Sequence, residues 1–166
     1  NAANETTVEF PAETLDELFL QMEKRYPDKE AVVASDRRMT YREVKQEALY
    51  IAQYLRDQGV KKGGLAAVMM EKGWEQIVAA ISILKAGAAY LPIDPSFPEE
   101  RVHLLLKNAS VKVVLTQEKV NREVNWPEDT TIICVDGVDV ESIDTTDFES
   151  IATGNDLAYV IYTSGS

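Results

Sequence analysis

Cysteine and histidine are almost absent from this 166-residue chain, which has one of each, Cys134 and His103. A single thiol makes no internal disulfide, so a reducing, cytosolic setting fits best. Cys134 lies in the apolar run Thr131-Ile132-Ile133-Cys134-Val135, with no His or cationic neighbour in sequence to favour the thiolate, and reads as a structural residue. His103 follows Pro98 on a helical stretch and reads as a surface or packing residue. Positive charge is also scarce. Lys and Arg number 17 against 28 Asp and Glu, a net charge of −11, whereas a nucleic-acid partner needs clustered Lys and Arg. The same deficit argues against docking on an anionic membrane. No apolar run approaches the ~20 residues that span a bilayer, and the polar start, Asn1 to Glu9, has no signal-peptide pattern. A Walker-type phosphate loop is missing too.

What is present is ordinary globular composition, 45% hydrophobic and 27% charged, arranged in regular alternation. Residues 1–13 read as a linker or extended arm. Thr14 and Glu17 have capping-box spacing, followed by the stripe Leu15, Leu18, Phe19 and Met22. Ala31 to Ala34 is a short strand, with Ser35 to Arg38 its turn. Thr40 and Glu43 repeat the capping box and open a helix burying Val44, Ala48, Ile51, Ala52 and Leu55, stopped at Gly59. Leu65 to Met70 lacks alternation and reads as a strand buried on both faces. Trp74, Ile77, Val78, Ile81 and Leu84 stripe the next helix, closed by Gly87.

Ala88 to Asp94 is then extended, and Pro92 within it argues for an edge position or a strand end. Pro98 suits a first helical turn, and that helix carries Val102, Leu105 and Leu106. Val111 to Thr116 is a strand, Glu118 to Asp129 a short helix and loop, and Thr130 to Val135 another strand. Asp136 to Asn155 is an acidic surface excursion before a final strand. The order implies an α/β fold, a largely parallel sheet flanked by helices.

The chain closes on Leu157-Ala158-Tyr159-Val160-Ile161-Tyr162-Thr163-Ser164-Gly165-Ser166, a strand running into small hydroxyl residues and a glycine. Hydroxyls donate hydrogen bonds and glycine lets backbone N–H groups approach an anion, so Thr163, Ser164, Gly165 and Ser166 suit a loop around phosphate. Such clusters also mark ordinary turns. A second stretch, Leu84-Lys85-Ala86-Gly87-Ala88-Ala89-Tyr90-Leu91-Pro92-Ile93-Asp94-Pro95, carries no obvious catalytic group, and Asp94 in it reads as a turn cap.

Together these stretches resemble the amino-acid adenylation domains of nonribosomal peptide synthetases, in the AMP-forming acyl and aryl ligase superfamily. Met39-Thr40-Tyr41-Arg42-Glu43-Val44 is similar to that family's first motif, with Met and Val in place of two leucines. Leu84 to Asp94 is similar to the second at every fixed position, and Leu157 to Ser166 to the first part of the third. The resemblance implies that residues 14–166 are the N-terminal portion of the large subdomain, ending inside the phosphate loop. It implies activation of an amino acid with ATP and Mg²⁺ to aminoacyl-AMP and pyrophosphate, then loading onto a carrier-protein phosphopantetheine thiol. Thr163 to Ser166 would hold the β- and γ-phosphates.

No residue is assigned a catalytic or metal-binding role, Lys85 being structural, and this stretch alone is expected to be inactive. Expected partners are the remainder of the adenylation domain, the amino acid and the carrier protein. A condensation domain or a small accessory protein is a further candidate. Two other readings stay open: an acyl- or aryl-CoA ligase of the same superfamily, and a non-catalytic interaction fragment.

Overall fold

The computed structural model describes residues 19, 21–33 and 37–138. Residues 21–25 are helical, in line with the expected first helix; its capping pair, Thr14 and Glu17, lies outside the described residues. β1 (Glu30–Val33) pairs antiparallel with β2 (Arg38–Thr40). The second of these strands goes beyond the sequence reading, in which Arg38 belonged to a turn. Three residues ending on a helix cap are too short to show a period of two, and only Met39 is buried.

Thr40 then caps α1 (Tyr41–Asp57). Its N–H donates to Glu43 Oε1 at 2.8 Å, while the Glu43 N–H donates to Thr40 Oγ1 at 3.2 Å. Such a cap contributes about 1 kcal/mol. Gly59 follows the helix end at φ +94°, as a stop signal should.

Four parallel strands form the main sheet in the order β4-β3-β5-β6, with β3 (Leu65–Met69), β4 (Ala89–Ile93), β5 (Val113–Thr116) and β6 (Thr131–Cys134). The connecting helices are α2 (Trp74–Lys85), α3 (Glu99–Asn108) and the short α4 (Glu118–Asn121). β3 is as buried as its unbroken apolar run implies. Ala66, Val68 and Met70 face one core with Val78, Ala79 and Ile83 of α2 and with Ile51 and Leu55 of α1. Ala67 and Met69 face the opposite core with Val102 and Leu106 of α3. Helices therefore cover both faces, the arrangement a parallel sheet requires.

Among the described residues β4 is an edge strand and carries Pro92 in its interior, as expected for a residue with no N–H to give to a ladder. Pro98 sits one residue earlier than expected, as the N-cap of α3. Ile77, assigned to the buried stripe of α2, is 43% exposed. Its neighbours Trp74, Val78 and Ile81 are buried, and so is every residue from Ile81 to Lys85, so Ile77 points to solvent from the less covered first half of the helix. No described helix is long and apolar enough to cross a membrane.

Candidate functional site at the carboxyl ends of the strands

The order β4-β3-β5-β6 means that the chain leaves β3 toward one side of the sheet and leaves β5 toward the other. Beyond the carboxyl ends of those two strands lies the topological switch point, where ligands bind in open parallel sheets. Side chains stitch this end together. Thr116 Oγ1 donates to the Met69 carbonyl at 2.6 Å, with Thr116 fully buried. Gln117, 7% exposed, clasps Glu71 from both sides: its Oε1 accepts from the Glu71 N–H at 2.8 Å and its Nε2 donates to the Glu71 carbonyl at 3.1 Å. The Glu118 N–H donates to Asp136 Oδ1 at 3.0 Å, joining the exits of β5 and β6. Lys119 Nζ meets Glu71 Oε1 at 2.5 Å across the crevice. That hydrogen bond, with the charge of Glu71 behind it, holds the Lys119 ammonium above its ordinary pKa.

A hollow of about 340 Å³ opens beside the clasp, lined by Glu71, Asp94, Ser96, Glu99, Lys119 and Glu123 among others. Asp94 Oδ1 accepts from both the N–H and the hydroxyl of Ser96 at 2.8 Å, so it caps the turn as expected. A larger open groove of about 1010 Å³ runs along β4 over Leu91, Pro92, Ile93, Phe97 and Leu105, with Lys72 and Arg101 at its margins. Arg101 stacks on Phe97 at 3.9 Å from the ring centroid. Among the described residues no three His, Cys, Asp or Glu side chains converge as a metal site. The hollow offers charge and hydrogen bonds for positioning a ligand.

Thr163, Ser164, Gly165 and Ser166 lie outside the described residues. Lys85 is 2% exposed, within the core side of α2, which suits the structural role expected of it. His103 bonds through Nε2 to the Asn125 carbonyl at 2.5 Å, and Asn125 Nδ2 in turn donates to Glu99 Oε1 at 3.2 Å. This ties α3 to the loop after α4 and leaves His103 in a packing role. Cys134 is half-buried. Burial first, then the charges of Asp136 and Glu118, push its thiol pKa up, which suppresses the nucleophilic thiolate.

Sequence reasoning missed Gln117 and Glu47. Gln117 had no signal beyond following a strand. Glu47 had one: it lies three residues after Val44 and four before Ile51, on the apolar face of α1. It is fully buried, and Arg37 Nη2 reaches its Oε1 at 2.9 Å while stacking over Trp74.

A family model described as AMP-binding enzyme matches residues 19–166. Bacitracin synthase 1 of Bacillus licheniformis is 38% identical over 164 residues, covering 98% of this chain and 3% of that protein. Tyrocidine synthase 2 of Brevibacillus parabrevis is 36% identical over 162 residues, again 98% of this chain and 4% of its own length. This chain thus spans a few hundredths of the curated relatives it matches. Among solved structures, the nonribosomal peptide synthetase FmoA3 in its AMPPNP-bound form is 45% identical with a TM-score of 0.83, over 96% of this chain and 17% of that one. The same synthetase is also solved with α-methyl-L-serine-AMP bound, at 42% identity and a TM-score of 0.82, covering 97% of this chain and 18% of that one.

Proposed function

The chain belongs to the AMP-binding enzyme family, and from that premise we propose that it forms part of an amino-acid-activating enzyme of nonribosomal peptide synthesis. In the first step a carboxylate oxygen of the amino acid bonds to the α-phosphorus of ATP. The bond from that phosphorus to the β-bridging oxygen breaks, and pyrophosphate leaves with the electron pair. A carrier-protein thiol then displaces AMP, giving the thioester. The observation that carries this reading is the likeness, at more than 40% identity over nearly the whole chain, to a synthetase solved with an ATP analogue and with an aminoacyl adenylate.

On this reading residues 14–166 are adenylation-domain sequence, and Thr163, Ser164, Gly165 and Ser166 hold the β- and γ-phosphates by backbone and hydroxyl donors. Their work is positioning and charge stabilisation. Mg²⁺ would supply further charge neutralisation on the phosphates. The described residues contain no ligand set for it, so no step is assigned to the metal. The 166 residues alone would not turn over, and a cytosolic setting with a carrier protein as partner completes the proposal.

The test is amino-acid-dependent exchange of pyrophosphate into ATP by the native protein that contains this sequence. Exchange with one amino acid, or a narrow set, supports the reading; no exchange with any amino acid, together with thioester formation from a fatty or aryl acid and coenzyme A, would replace it. Gly165→Val should lower kcat/KM for ATP by roughly a hundredfold, the scale of losing one preorganised phosphate-facing donor, with the melting temperature unchanged. Unaltered ATP kinetics in that variant would remove the phosphate-loop assignment.

A further inference from the structure

The turn from β3 into α2 faces two ways. Its Glu71 lines both the hollow and the groove at the carboxyl ends of the strands, and Lys72 lines the groove. Two residues on, Trp74 starts α2 inside the core, 4% exposed. Between them stands Gly73, the N-cap of α2, which makes no side-chain hydrogen bond to the helix. Glycine leaves the backbone its widest freedom and brings no capping oxygen. The turn therefore depends on what holds its neighbours.

Two sets of contacts do so. On the sheet side, Gln117 takes both the N–H and the carbonyl of Glu71, and its Nε2 lies 3.7 Å from where a Cβ on Gly73 would stand. On the helix side, the Arg37 guanidinium lies 4.2 Å above the Trp74 ring centroid. Arg37 does not drift with the ring, because its Nη2 is held 2.9 Å from Glu47 Oε1, and the Glu47 side chain has no solvent exposure. α1 thus anchors Glu47, Glu47 anchors Arg37, and Arg37 holds Trp74. A planar guanidinium pairs at its edge while stacking through its face, whereas a compact ammonium has no face to stack.

We propose that Arg37 is a positioning residue for the candidate site: by fixing Trp74 it holds the β3–α2 turn so that Glu71 stays seated in the Gln117 clasp. The end of the β1–β2 hairpin is thereby coupled to the carboxyl ends of the main sheet, and the path between them is the short run from Trp74 back to Glu71. A chain of direct contacts this short transmits a shift without any rearrangement of the core. The coupling does not depend on the proposed activity, since it is read at backbone amides rather than in turnover.

The test is residue-resolved amide hydrogen exchange, read by mass spectrometry on the native protein that contains this sequence. Three amides report. The Glu71 N–H is bonded to Gln117, the Gln76 N–H donates to the Gly73 carbonyl at 3.2 Å, and the Thr131 N–H donates to the Lys112 carbonyl at 2.8 Å at the amino ends of the strands. Arg37→Lys keeps a cation for Glu47 and loses the stack. It should speed exchange at Glu71 and Gln76 about fivefold, the scale of one partly desolvated cation–π contact, with Thr131 unchanged. Trp74→Phe keeps a ring in the core but a smaller face under the guanidinium, and should show the same pattern; it decides the matter where Arg37→Lys does not fold. Unchanged exchange at Glu71 would overturn the proposal even with Gln76 accelerated, because the helix start would then move without the clasp. Equal acceleration at all three amides would overturn it too, since that is general loosening and not the positioning of one turn.

Discussion

Arg37–Glu47 and Lys119–Glu71 are the same cation–carboxylate chemistry in opposite surroundings. The first joins the β1–β2 hairpin to α1 and α2: its nitrogen–oxygen distance is 2.9 Å, the Glu47 side chain has no solvent exposure, and the guanidinium lies 4.2 Å above the Trp74 ring centroid. The second spans the crevice at the carboxyl ends, with side chains 65% and 49% exposed. Desolvation lifts the pKa of Glu47 in spite of Arg37, which pulls the other way, and its Oε2 has no hydrogen-bond partner among the described residues. A buried pair can thus cost more in lost hydration than its attraction returns, yet removing one member is worse still, because the other charge stays behind. The exposed pair has water as a ready substitute. One pair fixes how elements meet; the other decorates a crevice and can yield to a ligand.

The largest effect should come from breaking the buried pair. Glu47→Ala strands the Arg37 guanidinium against Trp74 and should cost about 3–5 kcal/mol of unfolding free energy, measured by urea denaturation. A loss below about 1 kcal/mol would mean that the pair does not hold the hairpin. Next comes the clasp at the other end. Gln117→Ala deprives the Glu71 N–H and carbonyl of their partners at once, a part-buried loss of about 2 kcal/mol. Gln117→Glu keeps the acceptor for the Glu71 N–H but sets a carboxylate oxygen against the Glu71 carbonyl at a nearly buried position, so it should cost at least as much as Gln117→Ala.

A smaller effect sharpens the comparison through pH. Because Glu47 has its pKa raised above the ordinary carboxylate value of 4.5, the folded chain binds more protons than the unfolded one just above that value. Stability from this group is therefore present at lower pH and is lost as pH rises from 4.5 through the raised pKa. The slope is at most about 1.4 kcal/mol per pH unit for one proton. Glu47→Gln removes the titration while keeping an oxygen for Arg37. Its stability relative to wild type should therefore climb across that window, and a constant difference would mean that Glu47 titrates normally.

These contrasts also mark what was legible in the chain. The α1 cap, the doubly buried β3, the edge placement of Pro92 and the Asp94 turn were all readable, because each depends on a few adjacent residues and one local rule. The strand at Arg38–Thr40 was not, since its pairing partner rather than its own pattern makes it a strand. Ile77 went wrong because a stripe read from spacing has no sharp edge. At the candidate site, Asp94 was readable, whereas the Gln117 clasp joins residues 46 apart in sequence and only the sheet order brings them together. Glu47 occupied an apolar-face position in plain view; a charge there signals a buried partner, but nothing local says that the partner is Arg37.

The smallest expected effect is the most discriminating. In a double-mutant cycle over Lys119→Ala and Glu71→Ala, the coupling in unfolding free energy should be far smaller than that over Arg37→Ala and Glu47→Ala, although the two side chains are in hydrogen-bond contact. Contact distance alone would give this pair at least the coupling of Arg37–Glu47. Solvent decides otherwise: each exposed charge is rehydrated when its partner is removed, and holding two flexible side chains together costs entropy. High salt should abolish the small Lys119–Glu71 coupling while preserving most of that measured over Arg37→Ala and Glu47→Ala, since screening acts weakly on buried charges. Equal couplings at the two sites would mean that the crevice at the carboxyl ends is as rigidly committed as the core, and that a ligand entering there must displace structure rather than water.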